Sequence, residues 1–173
     1  MKTKNYLPAV LWMCCFFSVF TSQLFAQAEK AHNLDEFVGE YIHLIIVEQP
    51  DFQGFLIGKA EFELTDANTI NGEFKDHNIE FAIEYNPKKN NYLFNYKMYR
   101  RNSKTTDPSF SINGYEMDYT EEDGYLINIV DDENNWRLAV EIIVEDEGFK
   151  CQINSVINDM VFKQLLEFTR SDS

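Results

Sequence analysis

Three histidines, one cysteine in the body of the chain and three acidic knots are the residues best suited to chemistry. His43 lies in the apolar run Tyr41 to Val47, His77 in Asp76-His77-Asn78, and His32 in an N-terminal lead-in where solvation is expected. A neutral imidazole can ligate a metal or carry a proton. A two-histidine metal site from His43 and His77 is conceivable if their elements approach, but no ligand spacing supports it. Solvated or hydrogen-bonded imidazoles are the plainer reading. Cys151, between Lys150 and Gln152, reads as a buried small hydrophobe, because no histidine near it in sequence would activate its thiol.

The acidic knots are Glu121-Glu122-Asp123, Asp131-Asp132-Glu133 and Glu145-Asp146-Glu147. Calcium requires several oxygens from one loop or from adjacent loops. The first and third knots would be neighbours if alternate turns share an end, but charged turns also simply keep a chain soluble. Arg100, Arg101 and Lys104 form the one basic cluster after residue 28. They suit either pairing with Asp131-Asp132-Glu133 or capture of an acidic ligand group. Motifs for other chemistries are missing: there is no Gly-x-Ser-x-Gly elbow, His-Glu-x-x-His, Cys-x-x-Cys or phosphate-cradling glycine loop. The sequence therefore implies no cofactor, metal or catalytic residue.

The elements that carry these residues alternate with period two. Ile79, Phe81, Ile83 and Tyr85 are separated by Glu80, Ala82 and Glu84, and Trp136, Leu138, Val140, Ile142 and Val144 repeat the pattern. Successive strand side chains face opposite ways, so each run reads as a half-buried strand. Further strands are expected at Val38–Val47, Gly54–Leu64, Thr69–Lys75, Tyr92–Tyr99, Phe110–Tyr119, Tyr125–Val130 and Phe149–Ile157. Pro50, Pro87 and Pro108 all fall between them, where a missing N–H costs no ladder bond. The stretch from residue 159 to 170 fits a last strand or a short amphipathic helix. About nine or ten short strands joined mostly by tight turns point to an all-β, antiparallel up-and-down meander. Closure into a barrel would remove its edges, with a β-sandwich as the alternative.

In such a barrel the first inter-strand turn (48–53), Asp76–Asn78, the long loop 100–109 and Asp131–Asn135 share one end. Long connections commonly carry binding sites. Alternation turns one set of aromatic and polar side chains inward. The candidate ligand-binding residues are accordingly His43, Phe81, Tyr85, Phe94, Tyr96 and Met98, with Arg100 and Arg101 at the mouth. Barrels of this size either fill their interior or hold one small ligand.

The first 28 residues stand apart. Lys2 and Lys4 precede an apolar run from Leu7 to Phe20, and Ala26-Gln27-Ala28 forms a small-residue cleavage site, the anatomy of a secretory signal peptide. The run falls short of the roughly 20 residues of a spanning helix. Cleavage would leave one domain, residues 29–173. It would remove two of the 15 basic residues and none of the 29 acidic ones, moving the formal charge from −14 to −16. Such a surface repels phosphate backbones and anionic membranes, so nucleic acid is not an expected partner. Cys14 and Cys15 would leave with the signal, and the remaining Cys151 cannot form an internal disulfide.

Leu34-Asp35-Glu36-Phe37-Val38-Gly39-Glu40-Tyr41 resembles the opening of lipocalin-like barrels, where a Gly-x-aromatic element starts the first strand and plugs one end. Phe162 to Arg170 resembles the closing strand of small bacterial barrel domains of that group. Tyr41 stands where the family usually has Trp. The resemblance implies a ligand-binding barrel with Tyr41 packed at the closed end and Arg137 or Arg170 over its ring. Haem-binding members of the wider group use a histidine from a late strand, and no histidine follows His77, so that chemistry does not transfer.

These readings give an exported, periplasmic or secreted bacterial barrel that binds a small, largely apolar ligand without catalysis. An envelope interaction module with a packed core and acidic surface is the alternative. An acid–base enzyme working inside the barrel is the third.

Overall fold

The computed structural model describes residues 33–50, 52–99 and 107–171. A short 3-10 helix, Asn33–Phe37, leads into ten strands: β1 (Gly39–Gln49), β2 (Phe52–Asp66), β3 (Thr69–Phe74), β4 (Ile79–Asn86), β5 (Asn91–Met98), β6 (Phe110–Thr120), β7 (Gly124–Asp131), β8 (Trp136–Glu145), β9 (Gly148–Ile157) and β10 (Met160–Arg170). Each strand pairs antiparallel with the next, and β1 pairs with both β2 and β10, closing an up-and-down barrel. The closed sheet replaces the sandwich alternative. The last stretch is a strand and not a helix. Asn158 and Asp159 form a two-residue turn with positive φ at both positions (50° and 65°), which suits the twist of a tight hairpin.

The alternation works as its period demands. In β4, Ile79, Phe81, Ile83 and Tyr85 are buried, and in β5 so are Tyr92, Phe94, Tyr96 and Met98. One irregularity interrupts β6: Phe94 faces Tyr115 while Asn95 faces Asn113, so Gly114 is the extra residue of a bulge. Its φ of +68° favours glycine, and its N–H donates to Asn95 Oδ1 at 2.8 Å.

Aromatic rings fill the barrel. Phe62 on β2 meets Tyr41, Phe74, Phe81, Phe149 and Phe168 with centroids 5.1–6.1 Å apart. All five contacts are edge-to-face, the arrangement ring quadrupoles prefer. Phe149 and Phe168 stack at 4.2 Å. The lower end is plugged by the 3-10 helix, where buried Phe37 packs 5.0 Å from Phe149 and 5.5 Å from Tyr125. Arg170 lies 5.8 Å over the Tyr41 ring and donates to the Glu36 carbonyl at 2.9 Å. Arg137 pairs instead with Asp132.

Gly72 has a steric reason. A Cβ there would lie 2.6 Å from Phe62 Cε1, so the ring takes the room a side chain would need. Phe62→Ala is expected to cost about 3–5 kcal/mol through lost burial and a cavity, and Gly72→Ala about 1–3 kcal/mol through overpacking. Urea unfolding of the two variants measures both. A cost below about 1 kcal/mol for Phe62→Ala would remove the ring from its central role.

Candidate functional site

Six of the eight candidate residues project into the barrel. Phe81 and Phe94 pack at 5.2 Å, Tyr85 and Tyr92 at 5.3 Å, and Tyr96 lies 6.4 Å from Phe94. Met98 lies inward at the upper end of β5, opposite Ile79. Phe81 meets Phe62, Phe149 and Phe168, and His43 meets Phe74 and Phe168, so the inward set joins a ring-packed interior. Arg100 and Arg101 lie outside the described residues, as do Lys104 and His32. Two polar groups cross this interior: Tyr96 donates its hydroxyl to Gln164 Oε1 at 2.9 Å, and burial pushes its phenol well above the usual range. Gln164 Nε2 is buried with no hydrogen-bond partner among the described residues.

His43 is fully enclosed near the upper end, and neither ring nitrogen has a hydrogen-bond partner there. Phe74 lies 5.1 Å and His77 5.3 Å from its ring. Opposite it in the sheet stands Gly58, where a Cβ would meet His43 Cε1 at 2.8 Å and Asp76 Oδ2 at 2.9 Å. The turn Asp76-His77-Asn78 therefore folds against the histidine. Burial is the main cause of a His43 pKa lowered to about 4; the neighbouring His77 acts the same way and Asp76 opposes it. His43 is thus neutral at pH 7. The two histidines do approach, but among the described residues no group of three or more His, Cys, Asp or Glu is arranged to hold a metal.

The polar surface is largely self-paired. Lys75 pairs with Glu61 at 3.1 Å, Lys97 with Glu80 at 2.7 Å and Lys150 with Glu145 at 2.9 Å. Asp131 caps its own turn by accepting from the Asn134 N–H and side chain, which holds its carboxyl below the usual range. Cys151 is fully buried, and burial pushes its thiol up, away from reactivity. A groove of about 490 Å³ runs along the outer wall of β2 to β5, lined by Glu61, Glu63, Glu73 and Glu80 with Gly72 and Ala82.

One part of the outer wall has a different character. On β2, Phe55 is 70% and Ile57 60% exposed, and on β1 Ile42 is 50% exposed. Phe55 is registered against Ile46, and Ile57 against Leu44. Their outward side chains form one apolar strip. β3 pairs with β2 only between Ala60 and Asp66, so among the described strands the first half of β2 is registered against β1 alone. Where β3 ends, side chains replace it: Asp76 Oδ2 accepts the Lys59 N–H at 3.2 Å, and His77 Nε2 lies 3.2 Å from the Ile57 carbonyl. The expected candidates did not include this strip or its edge. The sequence signal was the uncharged run Phe52-Gln53-Gly54-Phe55-Leu56-Ile57-Gly58.

Fold and site together define a closed antiparallel barrel with a packed interior, an open stretch of edge on β2 and a β6–β7 seam paired over only three residues, Asp118–Thr120 with Gly124–Leu126. No family model and no curated protein matches the chain. Among solved structures it is similar to a redesigned beta barrel at 8% identity and a TM-score of 0.33, over 82% of this chain and 97% of that one. A likeness of that size carries no functional argument.

His43 makes stability depend on pH. The unfolded chain binds a proton at the ordinary histidine pKa of 6.5, the folded chain only near 4. Stability is therefore full above pH 6.5, falls as pH drops from 6.5 towards 4, and loses up to about 3 kcal/mol over that window. His43→Leu removes the proton-linked group and should flatten this limb in denaturant titrations at graded pH. An unchanged slope in the variant would show that His43 is not its source.

Proposed function

We propose that this chain is an exported, non-catalytic interaction module, a rigid barrel that presents an outer surface to a protein partner. One contrast carries the reading: aromatic rings occupy the interior, while the wall of β1 and β2 leaves Ile42, Phe55 and Ile57 half-exposed or more. Apolar side chains gathered on a surface mark interaction sites more often than chance. The buried thiol of Cys151 and the enclosed, neutral His43 fit a protein without a reacting group. Export rests on the basic start, apolar run and Ala26-Gln27-Ala28 of the first 28 residues, which lie outside the described part. The lipocalin-like resemblance is offered on the same footing. It is supported by Tyr41 packed above the 3-10 helix with Arg170 over its ring.

A second reading, a small and largely apolar ligand held toward the upper end, is favoured by one observation. His43 Nδ1 and Nε2 and Gln164 Nε2 are buried without partners, and a bound molecule would satisfy them.

Native mass spectrometry on the protein expressed in full and purified from an exporting host separates the two. The interaction reading expects a bare polypeptide mass that begins at Glu29. A stoichiometric small molecule, released on denaturation and identified in a solvent extract, would overturn it in favour of the ligand reading. A mass that retains residues 1–28 would overturn export.

A further inference from the structure

We propose that the free edge of β2, from Gln53 to the Ile57 N–H, takes up an extended segment of a protein partner as an added antiparallel strand. The segment would carry apolar side chains at alternate positions and a net positive charge. This deepens the interaction-module reading and rests on it.

The backbone sets the chemistry of the occupant. In a strand, the N–H and C=O of one residue point to the same side, and the next residue points to the other. Lys59 turns both groups away from β1: its N–H reaches Asp76 Oδ2 and its C=O accepts the Lys75 N–H at 3.0 Å. Ile57, two residues back, aims its C=O the same way, at His77 Nε2, a hydrogen bond that requires the proton on Nε2. The same period aims Phe55 and Gln53 in that direction, where no described strand is registered. Asp76 and His77 thus replace the first missing rungs, and among the described residues no strand continues the ladder beyond them. A partner strand matches such a row of donors and acceptors along its whole length.

Natural sheets blunt an open edge with charge, proline or a bulge. The run from Phe52 to Gly58 has no charge and no proline, and its register against β1 is unbroken from Gln49↔Phe52 to Gly39↔Phe62. The outward side chains beside the edge, Phe55 and Ile57, are apolar and offer contacts to alternate residues of an incoming strand. Charge decides between a second copy and a foreign segment. Glu61, Glu63 and Glu73 lie on β2 and β3 beyond the open edge, the nearby Lys75 forms its ion pair with Glu61, and the chain carries −14. A copy would bring the same sign, whereas a lysine- or arginine-bearing segment is attracted.

Two measurements test this. In amide hydrogen exchange on the isolated protein, the Phe55 amide is expected to exchange at least about a hundredfold faster than that of Leu56, which faces β1. Equal protection of the two would mean the edge is already covered and would overturn the proposal. Second, a displayed library of short random peptides is selected on the protein. The enriched sequences should alternate apolar residues, carry Lys or Arg, and bind about tenfold more weakly to Phe55→Pro than to Phe55→Ala. Proline removes the outward N–H, alanine keeps it, and unfolding curves check that both variants fold. No enrichment would overturn strand addition, as would equal binding to the two variants. Equal binding combined with loss in Ile42→Glu would sink the edge alone and leave the interaction reading standing. A dimer in sedimentation that is lost in Phe55→Pro would make a second copy the occupant and overturn the foreign segment.

Discussion

The ring of Phe62 sits where the two long stretches of β2 hand over to each other, and much of the barrel is arranged around it. Five other rings, drawn from β1, β3, β4, β9 and β10, meet its edges and faces. Those strands lie far apart in sequence, so this one cluster joins both sides of the sheet across the interior. With no disulfide among the described residues to limit the unfolded chain, such burial must supply the stability. The same crowding explains Gly72, which leaves the Phe62 ring its space. It also explains why inward residues suited to lining a cavity are in contact with each other instead.

The exposed edge follows from the same geometry. β1 is covered by β2 and β10 along most of its length, but β3 is only six residues long and ends at Phe74. The chain then turns through Asp76 and His77, whose side chains cap Lys59 and Ile57. These two residues also stand beside His43, with Gly58 between. One short turn therefore closes the core above a buried imidazole and ends the β2 ladder. A longer β3 would have hidden the edge and left no reason for the turn to fold inward.

Much of the architecture was legible because period-two alternation is a local signal. Ile79–Tyr85 and Trp136–Val144 announced their strands to within a residue, and prolines marked three of the connections. β10 was ambiguous because Gln164 interrupts its apolar alternation. Its partner, the Tyr96 hydroxyl, lies 68 residues away in sequence, so no local pattern could show that the amide belongs inside. The turn that settles the question, Asn158-Asp159 with positive φ at both positions, was not among the expected breaks. The 3-10 helix was not, since five residues are too few to show a period. The inward set His43, Phe81, Tyr85, Phe94, Tyr96 and Met98 followed from alternation, but alternation gives a side chain's direction and not whether the space it enters is empty. That depends on Phe62, Phe149 and Phe168, which arrive from other strands.

The edge was illegible for a related reason. Whether a strand has a neighbour is a property of two segments, and the strand signal in Phe52 to Ile57 is the same whether or not β3 reaches it. What the sequence did carry was the composition of the run. A strand covered on both sides gains nothing from avoiding charge on its outward face; β4 places Glu80 and Glu84 there and β5 Lys97. β2 changes character along its length: Lys59, Glu61 and Glu63 face outward where β3 covers it or Asp76 caps it, and Ile57 and Phe55 from the last capped rung onward, where the edge opens. Solubility alone would favour the reverse arrangement, with charge on the open half. An apolar, uncharged half-strand is therefore costly to leave bare in water, and contact with another chain is the condition under which that cost turns into binding energy.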